Sequence, residues 1–123
     1  MGYCIWGGGT FIVKKENFQT AKNALLEKWP RLCPAEMPLD DVLDICGLEN
    51  AAFDEKGDLC DLYIDGRKLW DQAETLQTIA PWVEDGSRLE ITGEDGDKWL
   101  WCVKDHVFYE CPGEVSYRGD PYA

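Results

Sequence analysis

The stretch from Arg88 to Cys111, RLEITGEDGDKWLWCVKDHVFYEC, constrains the fold more than any other part of the chain. Leu89 and Ile91 alternate with Glu90 and Thr92, the period-two pattern of a strand with one wet face. Gly93-Glu94-Asp95-Gly96-Asp97 follows. Two glycines among carboxylates suit a hairpin loop of about four or five residues. Lys98 to Lys104 is aromatic and β-branched, and apolar on both faces. That predicts a central strand with helices on one side and at least partial cover on the other. Asp105-His106 makes a two-residue loop before Val107 to Cys111, and Pro112-Gly113 stops the last strand. The whole reads as an antiparallel three-stranded meander.

The second connection accounts for the only histidine. A two-residue type I′ loop needs positive φ at both central positions, and histidine is among the residues enriched there. His106 is therefore read as a turn residue, with no cluster of partners to make it catalytic or metal-binding. Pairing Lys104 with Val107 sets Cys102 opposite Tyr109 and Leu100 opposite Cys111. Cys102 and Cys111 become diagonal neighbours, about 7–8 Å apart and beyond ordinary disulfide reach.

At 123 residues the chain reads as one domain, 1–123. The net charge of −12 opposes direct binding to nucleic acid or an anionic membrane, and suits a basic partner or high solubility. Six cysteines without a CxxC pair or a secretory signal are read as reduced, mostly buried thiols of a cytoplasmic protein. No metal or cofactor site is indicated. Glu94-Asp95-Gly96-Asp97 lacks the spacing and final glutamate of an EF-hand loop.

Taken in order, Tyr3 to Trp6 and Thr10 to Lys14 read as two short strands around Gly7-Gly8-Gly9, a hairpin loop or irregular bulge. A phosphate-binding loop would need a helix after the glycines, and Phe11-Ile12-Val13 is strand-like. Glu16 to Trp29 is a helix, with Phe18, Ala21, Leu25 and Trp29 on one stripe. Leu39 to Cys46 is a short helix with Leu39, Val42, Leu43 and Cys46 inward and Asp40, Asp41 and Asp44 outward. Asp40 or Asp41 is the expected cap and Gly47 the stop. Leu59 to Asp65 is a strand with Cys60, Leu62 and Ile64 inward, and Asp65-Gly66 turns the chain. Asp71 to Ala80 is the last helix, with Asp71 and Glu74 as a capping-box pair. Ala73, Leu76, Ile79, Ala80 and Val83 form its buried stripe. Residues 114–123 read as a surface tail.

The expected class is α+β: a mostly antiparallel sheet of about five to six strands, including the C-terminal meander, with two to three helices mainly on one face. Free strand edges at Leu59 to Asp65 or Val107 to Cys111 offer a route to dimers.

Three stretches carry a resemblance: Phe11 to Phe18, Ala80 to Ser87, and Thr92 to Trp99 with Trp101 after it. The chain resembles a group of small acidic uncharacterised bacterial proteins, some carried on mobile elements. The likeness covers both ends and misses residues 30–57. Relatives of this kind have Asp-Gly at the position of Asp105-His106, in keeping with a turn. The resemblance implies a bacterial or phage origin. It carries no assigned activity, so no functional residue is transferred.

Three functions fit such a surface. The first is a non-catalytic soluble interaction or regulatory protein whose acidic side takes a basic protein partner. The chain shows no nucleophile–base–orienter set. The second is a nucleic-acid mimic, with Asp40, Asp41, Asp44, Glu94, Asp95 and Asp97 in phosphate-like rows on one face. The third is a small-ligand or carbohydrate-binding module built on exposed tryptophans, of which Trp70 and Trp82, at helix ends, are the candidates. Two or more Trp rings lining an open pocket with a carboxylate would favour it. The pair Asp61 and Asp65 has acid/base chemistry but sits on an expected solvent face.

Overall fold

A computed structural model of the chain describes residues 2–113; the expected surface tail, 114–123, lies outside them. Six strands form one open antiparallel sheet in the order β2-β3-β1-β4-β5-β6. They are β1 (Cys4–Val13), β2 (Ala52–Phe53), β3 (Leu59–Lys68), β4 (Arg88–Gly93), β5 (Lys98–Lys104) and β6 (Val107–Gly113). Three helices, α1 (Phe18–Lys28), α2 (Leu39–Ile45) and α3 (Gln72–Ile79), complete an α+β fold.

The strands β4, β5 and β6 make the expected meander. Asp105 and His106 have φ of 53° and 62°, as a type I′ turn requires. Lys104 pairs with Val107, Cys102 with Tyr109 and Leu100 with Cys111. No disulfide joins Cys102 to Cys111 or links any other of the six cysteines.

The N-terminal region differs from expectation. Gly7-Gly8-Gly9 is no hairpin loop. It lies inside one ten-residue strand, β1, flanked by β3 on one side and β4 on the other. A Cβ on Gly7 would stand 2.0 Å from the Glu90 carbonyl oxygen, and one on Gly8 2.3 Å from that of Leu62. Those atoms belong to neighbouring backbones. The glycines let a central strand lie tightly between its partners. Register shifts at Ile5/Trp6 and Thr10/Val13 bracket the run.

In β3 the expected turn at Asp65-Gly66 is a bulge. Gly66, at φ +71°, is the extra residue where Ile5 and Trp6 meet Arg67 and Asp65, and the strand runs on to Lys68. Cys60 is only half-buried, not a core residue. Ala52 pairs with Asp61 and Phe53 with Leu59, which leaves Cys60 as the unpaired residue of a second bulge. Because β2 pairs there, and Tyr63 donates its backbone N–H to the Glu49 carbonyl, Leu59 to Asp65 is not a free edge. The edge strand at the other side of the sheet is β6.

The helices bury the expected stripes: Ala21 and Leu25 from α1, Leu39, Val42 and Leu43 from α2, Leu76 and Ile79 from α3. These join Ile5, Ile64, Leu89, Ile91, Trp101 and Val103 of the sheet in one core. Each fully buried aliphatic side chain contributes roughly 1.5–3 kcal/mol. A smaller buried cluster of Leu100, Cys102 and Cys111 lies on alternate strand positions, away from the main core. Neither expected aspartate cap forms. Pro38 occupies the N-cap of α2 and Asp71 that of α3, and neither makes a side-chain cap bond. The C-terminal end of α2 closes as expected. Gly47 has φ +88°, and Leu48 donates its N–H to the Leu43 carbonyl at 2.8 Å. Among the described residues no helix is long and apolar enough to cross a membrane.

Candidate functional site

One end of the sheet gathers the start of β1, the end of β3, the β4–β5 turn and the end of β6. Cys4 pairs with Lys68, Ile5 with Gly93, and Lys98 with Gly113. Trp70 stands here, between β3 and α3, and is 70% exposed. Its backbone is held although its ring is free to solvent. The Trp70 N–H donates to Gln72 Oε1 at 2.6 Å, and Gln72 Nε2 donates to the Lys68 carbonyl at 2.9 Å. Leu69 N–H donates to the Tyr3 carbonyl at 2.7 Å. Gln72 is fully buried, so its side-chain amide depends on these two bonds rather than on water.

Trp70 forms part of the wall of two clefts. The first, of about 560 Å³, lies between the start of α3 and the β5–β6 hairpin. Trp70, Trp99 and Trp101 line it, together with Asp97 and Glu110. The second, of about 580 Å³, lies where the ends of α1 and α2 meet the start of α3. Trp29, Ile45 and Trp70 line it, with Lys28, Arg31 and Asp71. The first cleft is aromatic, with two carboxylates and the Lys98 ammonium; the second is more apolar, with two cations and the Asp71 carboxylate.

The aromatic wall continues beneath the surface. Tyr3 stacks on Trp99 at 6.5 Å between centroids, and Trp99 meets Trp101 edge-on at 6.0 Å. Such pairs add about 0.5–1.5 kcal/mol beyond their buried area. Trp101 Nε1 donates to Glu110 Oε1 at 2.6 Å and so fixes that carboxylate. Among the described residues no acceptor meets the buried Trp99 Nε1.

The six candidate acids fall into two groups on separate elements. Asp40, Asp41 and Asp44 lie on α2; Glu94, Asp95 and Asp97 lie on the β4–β5 turn. Three of the six are bound by the protein's own groups. Asp44 accepts from Arg67 Nη1 at 2.8 Å, and Arg67 also reaches Glu49 at 3.0 Å. The Asp44 hydrogen bond is the main reason the Arg67 pKa is raised. Glu94 accepts from the Cys4 backbone N–H at 2.5 Å and donates its own N–H back to the Cys4 carbonyl. Asp95 accepts from the Tyr3 hydroxyl and from the Asp97 N–H. That hydroxyl bond holds the Asp95 carboxyl below its ordinary range, and Asp95 in turn pushes the Tyr3 phenol up to about 12. Of the six, only Asp97 lines a cleft beside the tryptophans.

Trp82, expected exposed, is half-buried against the core in a 3-10 turn that extends α3. Asp61 and Asp65 lie in exposed positions on β3. The sequence reading passed over Trp29, Gln72, Trp99, Trp101 and Glu110 as site residues. Part of the signal was present: pairing Lys104 with Val107 also sets Trp101 opposite Glu110, as observed. Among the described residues no group of three His, Cys, Asp or Glu side chains converges as a metal site. No family model, curated protein or solved structure matches the chain.

Proposed function

We propose that this chain is a non-catalytic recognition protein whose Trp70 end takes a basic protein partner. The observation that carries this reading is Trp70 itself: a 70% exposed indole on a braced backbone, in the wall of two tryptophan-lined clefts. A large exposed ring of this kind is a typical interface anchor. The net charge of −12 steers a basic partner toward it. The acidic side chains support long-range attraction, whereas the nucleic-acid mimic has less support, because three of its six acids are engaged internally.

Binding of an arrayed set of basic, neutral and acidic peptides tests this reading. Basic peptides are expected to bind, with affinity that falls as salt rises. Trp70→Ala is expected to weaken them at least about tenfold, the loss of one hot-spot side chain. Retention of full affinity in that variant would remove the proposal. A second reading, a small-ligand or carbohydrate module, draws on the size of the two clefts, about 560 and 580 Å³, within the ordinary ligand-site range. A neutral glycan that binds at Trp70 while basic peptides do not would put it first.

A further inference from the structure

We infer that the cleft between α3 and the β5–β6 hairpin is an arginine pocket: the place where a guanidinium of the partner stacks on Trp70 in the field of the carboxylates Asp97 and Glu110. This inference rests on the reading of the Trp70 end as the surface for a basic partner. The lining combines the exposed Trp70 ring and the partly exposed Trp99, with Trp101 buried behind them, and two exposed carboxylates, Asp97 on the β4–β5 turn and Glu110 on β6. A guanidinium is planar, stacks on aromatic faces and offers a fork of N–H donors to carboxylates. A lysine ammonium is a compact, strongly hydrated charge and uses such walls less completely.

Two ammonium groups and one indole bond modify the pocket's charge. Lys98 also lines it, and its ammonium donates to Thr92 Oγ1 at 3.3 Å. Lys68 Nζ lies 5.8 Å from the centre of the Trp70 ring, so this indole already serves as a cation platform within the chain. Trp101 Nε1 holds Glu110 at the wall through its 2.6 Å bond, which costs the incoming cation little carboxylate reorganisation. The neighbouring cleft sets two cations, Lys28 and Arg31, against one carboxylate, Asp71, and suits a cation less.

Calorimetry with three short peptides, identical except for one central arginine, lysine or citrulline, tests the assignment on the full chain. Citrulline keeps the shape of arginine and removes its charge. The arginine peptide is expected to bind about tenfold or more tighter than the citrulline peptide. Asp97→Asn with Glu110→Gln is expected to erase that preference and leave the citrulline affinity unchanged. Gln at 110 retains an oxygen for the Trp101 indole, so the wall persists. Val107→Thr, exposed at the far end of β6, is expected to leave arginine binding as it was. Lys68→Met is expected to tighten it by about two- to threefold, since a competing cation leaves Trp70. Equal affinity for arginine and citrulline, or an arginine preference that survives the double variant, overturns the pocket. If lysine and arginine peptides bind equally and lose affinity in Trp70→Ala, the pocket falls and the broader proposal stands. If no basic peptide binds, both fall.

Discussion

Tyr3 and Asp95 tie the first strand to the β4–β5 turn through a single hydroxyl–carboxylate bond. The two partners titrate in opposite directions, and the signs differ. Asp95 has a lowered pKa, so its contribution to stability is present above the ordinary 3.8 and is lost as pH falls through its folded value. Tyr3 has a raised pKa, so its contribution is full below 10.0 and is lost as pH rises through about 12. Tyrosinate absorbance of the folded protein is therefore expected to show one phenol titrating near 12, and Asp95→Asn is expected to return it toward 10.0. A titration unchanged by that substitution would break the link. The neighbouring tryptophans separate by the same logic of partners. Trp101 is buried and its N–H is bonded to Glu110, whereas the Trp99 N–H has no acceptor among the described residues. Trp101→Phe is expected to cost about 2–3 kcal/mol by urea unfolding, from lost volume and a lost bond to a charged group. Trp99→Phe removes an orphan donor and is expected to cost less than about 1 kcal/mol.

Among the elements, β1 is the one whose composition misleads. Three consecutive glycines normally mark a loop, and nothing local reveals that both neighbouring strands press on them. Their role appears only once Glu90 and Leu62 are in place, at 2.0 and 2.3 Å from where side chains would begin. Gly8→Ala is expected to destabilise by about 2 kcal/mol or more, since backbone must move. Gly96→Ala, with open space around it but φ of +90°, is expected to cost about 1 kcal/mol. Similar losses in the two variants, measured by thermal unfolding, would mean that the sheet yields at β1. The meander was legible because each segment obeys one rule: alternation in β4, turn chemistry at 93–97 and at Asp105-His106, and an aromatic, β-branched run apolar on both faces in β5. Likewise α2 was legible from Val42, Leu43 and Gly47. The bulges at Cys60 and Gly66 were not, because bulges answer to the register of strands distant in sequence. Nor was the candidate site. Gln72 looks like an ordinary helix residue until its amide is seen bracing Trp70, and the first cleft joins Trp70 to Asp97 and Glu110 across three connections.

At the scale of the whole molecule, the charge of −12 acts on stability and on recognition with opposite signs. Acidic side chains number 24 against 12 basic ones, and of the ion pairs Lys28–Glu74, Arg67–Asp44 and Arg67–Glu49 two share one arginine. The acids therefore repel one another across a small fold more than they are neutralised within it. The Debye length is about 30 Å at 0.01 M salt and about 8 Å at 0.15 M, so raising salt over that range screens most pairs on a domain of this size. Stability is expected to increase: about 1 kcal/mol of relieved repulsion would raise Tm by roughly 4 °C. Over the same range a basic peptide at the Trp70 end is expected to bind more weakly and associate more slowly, since the field that destabilises the free protein is the field that steers its partner. Calorimetric melting and peptide binding, measured in one salt series, check both signs together. Melting that falls with salt, or binding that strengthens with it, would show that the acids do not act as one field.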